Sequence, residues 1–171
     1  DEYTQDILNS ALLLEAEQED IQRKAKLSAT GLLGKLPVVY ACERMEVAAV
    51  RLRQQLNENA KILCLHHSIP EMNHNELVGW REQGLETAAL FFRANSDHRR
   101  NQARTSINRE IISHFCKTII DIPCKGSTFA QQALYATHFG DWLSVYLADM
   151  RGVNSMEVRV IDYLKNELAA I

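Results

Sequence analysis

Apolar positions along the chain follow two alternating rhythms. Ile21, Ala25, Ser28 and Leu32 recur at helical spacing, and Gly34 followed by Pro37 predicts the end of that helix. Residues 36–42 form a short Val-rich run of strand length, and residues 47–56 return to helical spacing, carrying Arg51 and Arg53. The alternation then repeats. Apolar runs at 62–65, 88–92 and 118–122 have strand length, and the stretches around 75–80, 99–115 and 129–150 between and after them read as helices, with a last helix at about 156–168. Strands that are apolar throughout need cover on both faces, so the pattern predicts an α/β fold: a three-layer α/β/α sandwich around a parallel sheet of four to five strands. Residues 1–20 read as a helical lead-in to a domain over 21–171, with no repeat, low-complexity stretch or linker inside it.

Composition narrows the class. A chain of 171 residues with 46% hydrophobic content has room for one buried core. The net charge of −3, with no basic run interleaved with aromatics, gives no footing for nucleic acid. No apolar stretch is long enough to span a bilayer, and the acidic start at Asp1-Glu2 is unlike a signal peptide. Cys42, Cys64, Cys116 and Cys124 lie far apart with no CxxC pair, which predicts buried reduced thiols and a cytoplasmic setting. A start at Asp1 rather than Met is expected of a piece of a longer chain.

In open parallel sheets ligands gather beyond the carboxyl ends of the strands, which directs attention to polar segments at strand boundaries. Residues 66–76 hold His66, His67, His74, Glu71 and Glu76; residues 57–61 read Asn-Glu-Asn-Ala-Lys. Two readings of Glu58 stand side by side. Asparagines on both sides suit a helix end frayed into a turn; a carboxylate there also suits a base that moves a proton between carbons beside a carbonyl, if cations stabilise the enediolate. Histidine near neutral pH can protonate a sugar ring oxygen, and His74 sits in the most turn-rich part, whereas His66 and His67 read as structural residues at a strand end. The histidine spacing argues against a metal, because no pair falls on one helical face.

Phosphate recognition is harder to find. The turn after the first strand, at 41–46, has no glycine and carries Glu43 and Glu46. Lys125-Gly126-Ser127-Thr128 is more permissive, but Ser127 or Thr128 equally serves as a helix N-cap. Gly140-Asp141-Trp142 reads as a bend with an aromatic anchor.

The stretches VAAVRLRQQLNENAK at 47–61 and PEMNHNELVGW at 70–80, with DWLSVYLADMRGV at 141–153 and VIDYLK at 160–165, resemble the C-terminal sugar isomerase (SIS) domain of the bifunctional phosphoglucose/phosphomannose isomerases. The resemblance covers about Ile21 to Leu168. It implies a flavodoxin-like SIS sandwich that interconverts glucose 6-phosphate or mannose 6-phosphate with fructose 6-phosphate through a cis-enediol, without metal or organic cofactor. The family's catalytic glutamate falls on Glu58 within NEN, its ring-opening histidine on His74 within NHNE, and its assisting lysine on Lys165. It further implies a preceding SIS domain that grips the phosphate, and a homodimer in which the histidine comes from the neighbouring subunit. Ala41-Cys42, Leu52 and Asn154-Ser155-Met156 depart from the family pattern. The alternative from a different class is a non-catalytic phosphosugar-binding or dimerisation module on the same scaffold.

Overall fold

A computed structural model describes residues 1–81 and 84–171. Asp1 opens the first helix, α1 (Glu2–Leu32), by accepting the Thr4 N–H at 2.8 Å. Ile21, Ala25, Ala29 and Leu32 form its fully buried stripe, and the large side chains among them are each worth about 1.5–3 kcal/mol on burial. The expected division after residue 20 falls inside this helix, which runs through it without a break. Its first half is tied to the body of the domain. Asp6 accepts the Thr128 hydroxyl at 2.8 Å, Gln18 meets His138 at 2.7 Å, and Glu17 pairs with Lys125 at 2.5 Å. Exposed Ile7, Leu8 and Leu12 lie among these residues, which hides the helical stripe in the sequence.

Gly34, at φ 73°, turns the chain into β1 (Leu36–Cys42). There follow a 3-10 turn (Glu43–Met45), α2 (Glu46–Glu58), β2 (Leu65–Ile69), a second 3-10 turn (Glu71–His74), and the one-turn helix α3 (Glu76–Gly79). The chain ends with β3 (Thr87–Ala94), α4 (Arg99–Ser113), β4 (Thr118–Cys124), α5 (Phe129–Arg151) and α6 (Arg159–Ala169). The four strands form one parallel sheet in the order β2-β1-β3-β4. Alternate side chains serve opposite layers. Val39, Ala41, Leu90, Phe92 and Ile122 share a core with α1, α2 and α5. Val38, Tyr40, Cys42, Ala89 and Phe91 share the other core with Ile112 of α4 and with Met72 and Trp80. Within it Trp80 Nε1 donates to the Tyr40 hydroxyl at 2.8 Å. The three-layer sandwich expected from the alternation is the observed fold, with four strands.

Two local expectations change. The second strand lies at Leu65–Ile69 instead of 62–65, so His66 and His67 are inside it. Residues 61–64 stay outside the sheet because the Cys64 N–H donates to the Asn57 side chain at 2.8 Å and Lys61 adopts φ 55°. As an edge strand β2 is only half-covered and tolerates polar residues. Gly140 makes no bend, since α5 runs through it. A Cβ there would meet Leu52 Cδ1 at 3.3 Å, so the glycine lets α2 approach closely, and Asp141 then accepts from Gln55 of α2 at 2.6 Å.

Candidate active site

Glu58 is the last residue of α2, a helix that starts beyond the carboxyl end of β1 and runs back along the sheet. Glu58 therefore lies at the amino end of β2. This corrects the expectation drawn from strand ends. His74 ends the turn that follows β2 and lies past its carboxyl end. The two residues are separated by the full strand, whose five residues span about 13 Å at about 3.3 Å per step. One copy of the chain does not bring them together.

Both motifs share a design. In Asn57-Glu58-Asn59, Asn57 holds the Cys64 N–H, and Asn59 Nδ2 donates to Ser144 Oγ of α5 at 2.9 Å. The following Ala60 carbonyl accepts from Arg151 Nε at 2.9 Å. In Asn73-His74-Asn75-Glu76, Asn73 Nδ2 donates to Asn108 of α4 at 2.5 Å, and Asn75 caps α3 by accepting the Glu76 N–H at 2.6 Å. The Glu76 carboxylate lies 3.3 Å from His67 Nδ1. The flanking residues fasten each turn, while Glu58 and His74 are exposed, and among the described residues neither of these two side chains has a hydrogen-bond or ion-pair partner.

Glu58 faces a cleft of about 370 Å³ whose other walls include Lys61, Ile62, Val158 and Ile161. The base of α6 thus closes over the end of α2. Lys165 stands one turn beyond Ile161, about 6 Å further along the helix, and is exposed outside the cleft lining. Nothing in the composition of 57–61 revealed Lys61 as a structural cation. Its ammonium donates to the Glu58 carbonyl at 2.5 Å and to the Glu157 carbonyl at 2.6 Å.

The histidines of β2 have structural surroundings. His66 points toward α2, where burial and then the nearby Arg53 charge lower its pKa. His67 points to the opposite face, where it meets Glu76. Among the described residues no three His, Cys, Asp or Glu side chains converge in a metal-binding group.

In the loops after β3 and β4, many polar groups pair within the chain. After β3, the Ser96 N–H and hydroxyl both donate to Gln132 Oε1, and Gln102 Nε2 donates to the Asn95 and Asp97 carbonyls. Asp97 is buried there, which raises its pKa. After β4, Thr128 is the N-cap of α5, accepting the Gln131 N–H at 3.2 Å, and Ser127 donates to the Gln131 side chain. Asp6 receives Thr128 and Gln131, and Lys125 is held by Glu17 and Asp20. Carboxylates of α1 occupy the surroundings in which an incoming anion would be held.

Residues 21–168 match the family described as bacterial phospho-glucose isomerase C-terminal SIS domain. The chain belongs to that family. This SIS domain is 32% identical over 157 residues to a bifunctional phosphoglucose/phosphomannose isomerase of Aquifex aeolicus, covering 91% of the chain and 49% of the relative. It is 30% identical over 158 residues to the protein of the same description in Thermoplasma volcanium, covering 92% and 51%. The chain spans about half the length of the curated relatives it matches. Among solved structures, the fold is similar to a glucose-6-phosphate isomerase like protein from Thermus thermophilus, with a TM-score of 0.64 at 23% identity over 77% of this chain and 42% of that one. No helix among the described residues of the SIS domain is long and apolar enough to cross a membrane.

Proposed function

We propose that this SIS domain is the C-terminal half of a phosphosugar aldose–ketose isomerase acting on glucose 6-phosphate, mannose 6-phosphate or both. The observation that carries the proposal is the presentation of Glu58: its two asparagine neighbours are fastened to the scaffold, and its carboxylate alone is free in a cleft. On an open-chain aldose, Glu58 removes the C2 proton, the electron pair of that bond forms the C1–C2 double bond, and the C1 carbonyl becomes an enediolate oxygen. Return of the proton to C1, with the O2 hydroxyl proton passing to O1 as the C2 oxygen becomes a carbonyl, gives the ketose. No metal or organic cofactor enters this scheme.

His74 acts first, protonating the ring oxygen as its bond to C1 breaks, while the anomeric hydroxyl releases its proton to solvent and becomes the C1 carbonyl. It is supplied by the neighbouring subunit of a homodimer, since β2 separates it from Glu58 of its own chain. Lys165 of α6 places a cation near the developing enediolate. The phosphate is held by a preceding SIS domain, a reading supported by relatives about twice as long and by the pairing of Lys125 with Glu17 and Asp20 in this one. The setting is cytoplasmic, with neither nucleic acid nor membrane as partner.

The alternative, a non-catalytic phosphosugar-binding or dimerisation module, draws on the exposed position of Lys165 outside the cleft. One experiment separates the two. In the full-length polypeptide, Glu58→Gln is expected to abolish solvent exchange of the substrate C2 proton while sugar-phosphate binding persists. Exchange at the wild-type rate would favour the non-catalytic module.

A further inference from the structure

Among the described residues, α6 has no buried side chain, so its position against the end of α2 depends on few contacts. One of them is unusual. Lys61 sits at φ 55°, a conformation that Cβ sterics disfavour for every residue except glycine and, to a lesser extent, Asn and Asp. Such a backbone persists in a long-chain residue only where the surroundings enforce it. Here the enforcement is visible: the ammonium bridges two carbonyls from different elements, Glu58 at the end of α2 and Glu157 in the linker before α6. Carbonyls in the last turn of a helix have no intrahelical partner, so the first bond completes α2. The second reaches the residue whose carboxylate accepts the Arg159 N–H and opens α6. The side chain also lines the cleft that holds Glu58.

We infer that Lys61 is a positioning residue, a clamp that fixes the base of α6 against the turn carrying Glu58 and so sets the distance between that carboxylate and Lys165. The inference rests on the isomerase reading for its catalytic consequence. The clamp itself does not. Without the ammonium, the linker at 153–158 loses its tie to α2, and α6 can shift away from the cleft. Positioning of this kind enters the rate of the chemical step, where small displacements are costly, far more than the capture of a sugar phosphate gripped elsewhere.

Two variants test it. Lys61→Gly removes the clamp while suiting the left-handed backbone, so the turn still folds; Lys61→Arg keeps a cation that can bridge both carbonyls. In Lys61→Gly, hydrogen exchange at the α6 amides of this chain is expected to rise, while thermal stability is retained. In the full-length polypeptide, kcat is expected to fall at least about ten-fold with KM little changed, and Lys61→Arg is expected to recover most of it. Wild-type exchange at α6 in Lys61→Gly would overturn the clamp. So would a fall in kcat matched by an equal loss of stability in both variants, which is the mark of a general structural role. Failure of the isomerase reading is distinguishable: Glu58→Gln would then keep full activity, while α6 exchange in Lys61→Gly still decides the clamp.

Discussion

In the proposed shared site, a sugar phosphate that touches both Glu58 and His74 lies between two copies of the chain. The strand between them spans about 13 Å, and they lie at opposite ends of it, so one protomer holds them apart. The perturbation that exposes this is subunit exchange in the full-length protein. Glu58→Gln and His74→Ala homodimers should each be nearly inactive, since losing a proton-transfer group typically costs about 10²- to 10⁴-fold. Mixed in equal amounts and allowed to exchange, half of the dimers become heterodimers. Each heterodimer of a two-fold molecule carries one doubly substituted site and one site with both groups intact, so the mixture recovers about a quarter of wild-type turnover. Fructose 6-phosphate formation before and after exchange is the assay, with native mass spectrometry counting heterodimers. A mixture that holds its heterodimers yet stays at the average of its two parents would refute the shared site.

Three further outcomes follow from the packing. Ile21→Ala, at a fully buried position where α1 meets the core, is expected to lower unfolding free energy by about 2–5 kcal/mol in urea titration, and a loss under about 1 kcal/mol would deny α1 its place in the core. Asp20, held well below the usual carboxylate range first by Lys24 and then by Arg23, contributes stability that is present above its unfolded pKa of about 3.9 and lost as pH falls below it. Asp20→Asn should therefore flatten the fall in thermal midpoint between about pH 4 and about pH 2, and an unchanged profile contradicts the assignment. Burial pushes the Cys42, Cys64 and Cys124 thiols up to about 12, so they should resist iodoacetamide at about pH 8 until the chain is unfolded; rapid labelling of the native protein would show that they are accessible.

Much of the architecture was legible because parallel strands buried on both faces leave uninterrupted apolar runs, as in Val38 to Cys42 and Ala88 to Phe92. The edge strand was displaced in the sequence reading for the same reason inverted. β2 needs little apolar cover and carries two histidines, while Ile62 and Leu63 belong to the connector before it. The first half of α1 reads in the sequence as a helical lead-in set apart from the domain, because it is held largely by Asp6, Glu17 and Gln18, polar partners that leave no hydrophobic period. Glu58 and His74 were readable as candidates from their motifs. Their placement at opposite ends of the sheet was not, because it depends on the direction of α2. Lys61 was invisible for a deeper reason: a positive φ and a two-carbonyl bridge are properties of a folded turn, and a lysine carries no local mark of either.

The carboxylates that α1 sends to the start of α5 have a consequence for inhibition. A helix N-terminus with a capping threonine and a nearby lysine is ordinarily welcoming to inorganic phosphate or sulfate. In this chain Asp6, Glu17 and Asp20 are resident counter-anions, tethered at high local concentration, that already neutralise Lys125 and engage Thr128, so a free oxyanion arriving there meets repulsion. Added inorganic phosphate or sulfate should therefore change little at the start of α5 in this SIS domain.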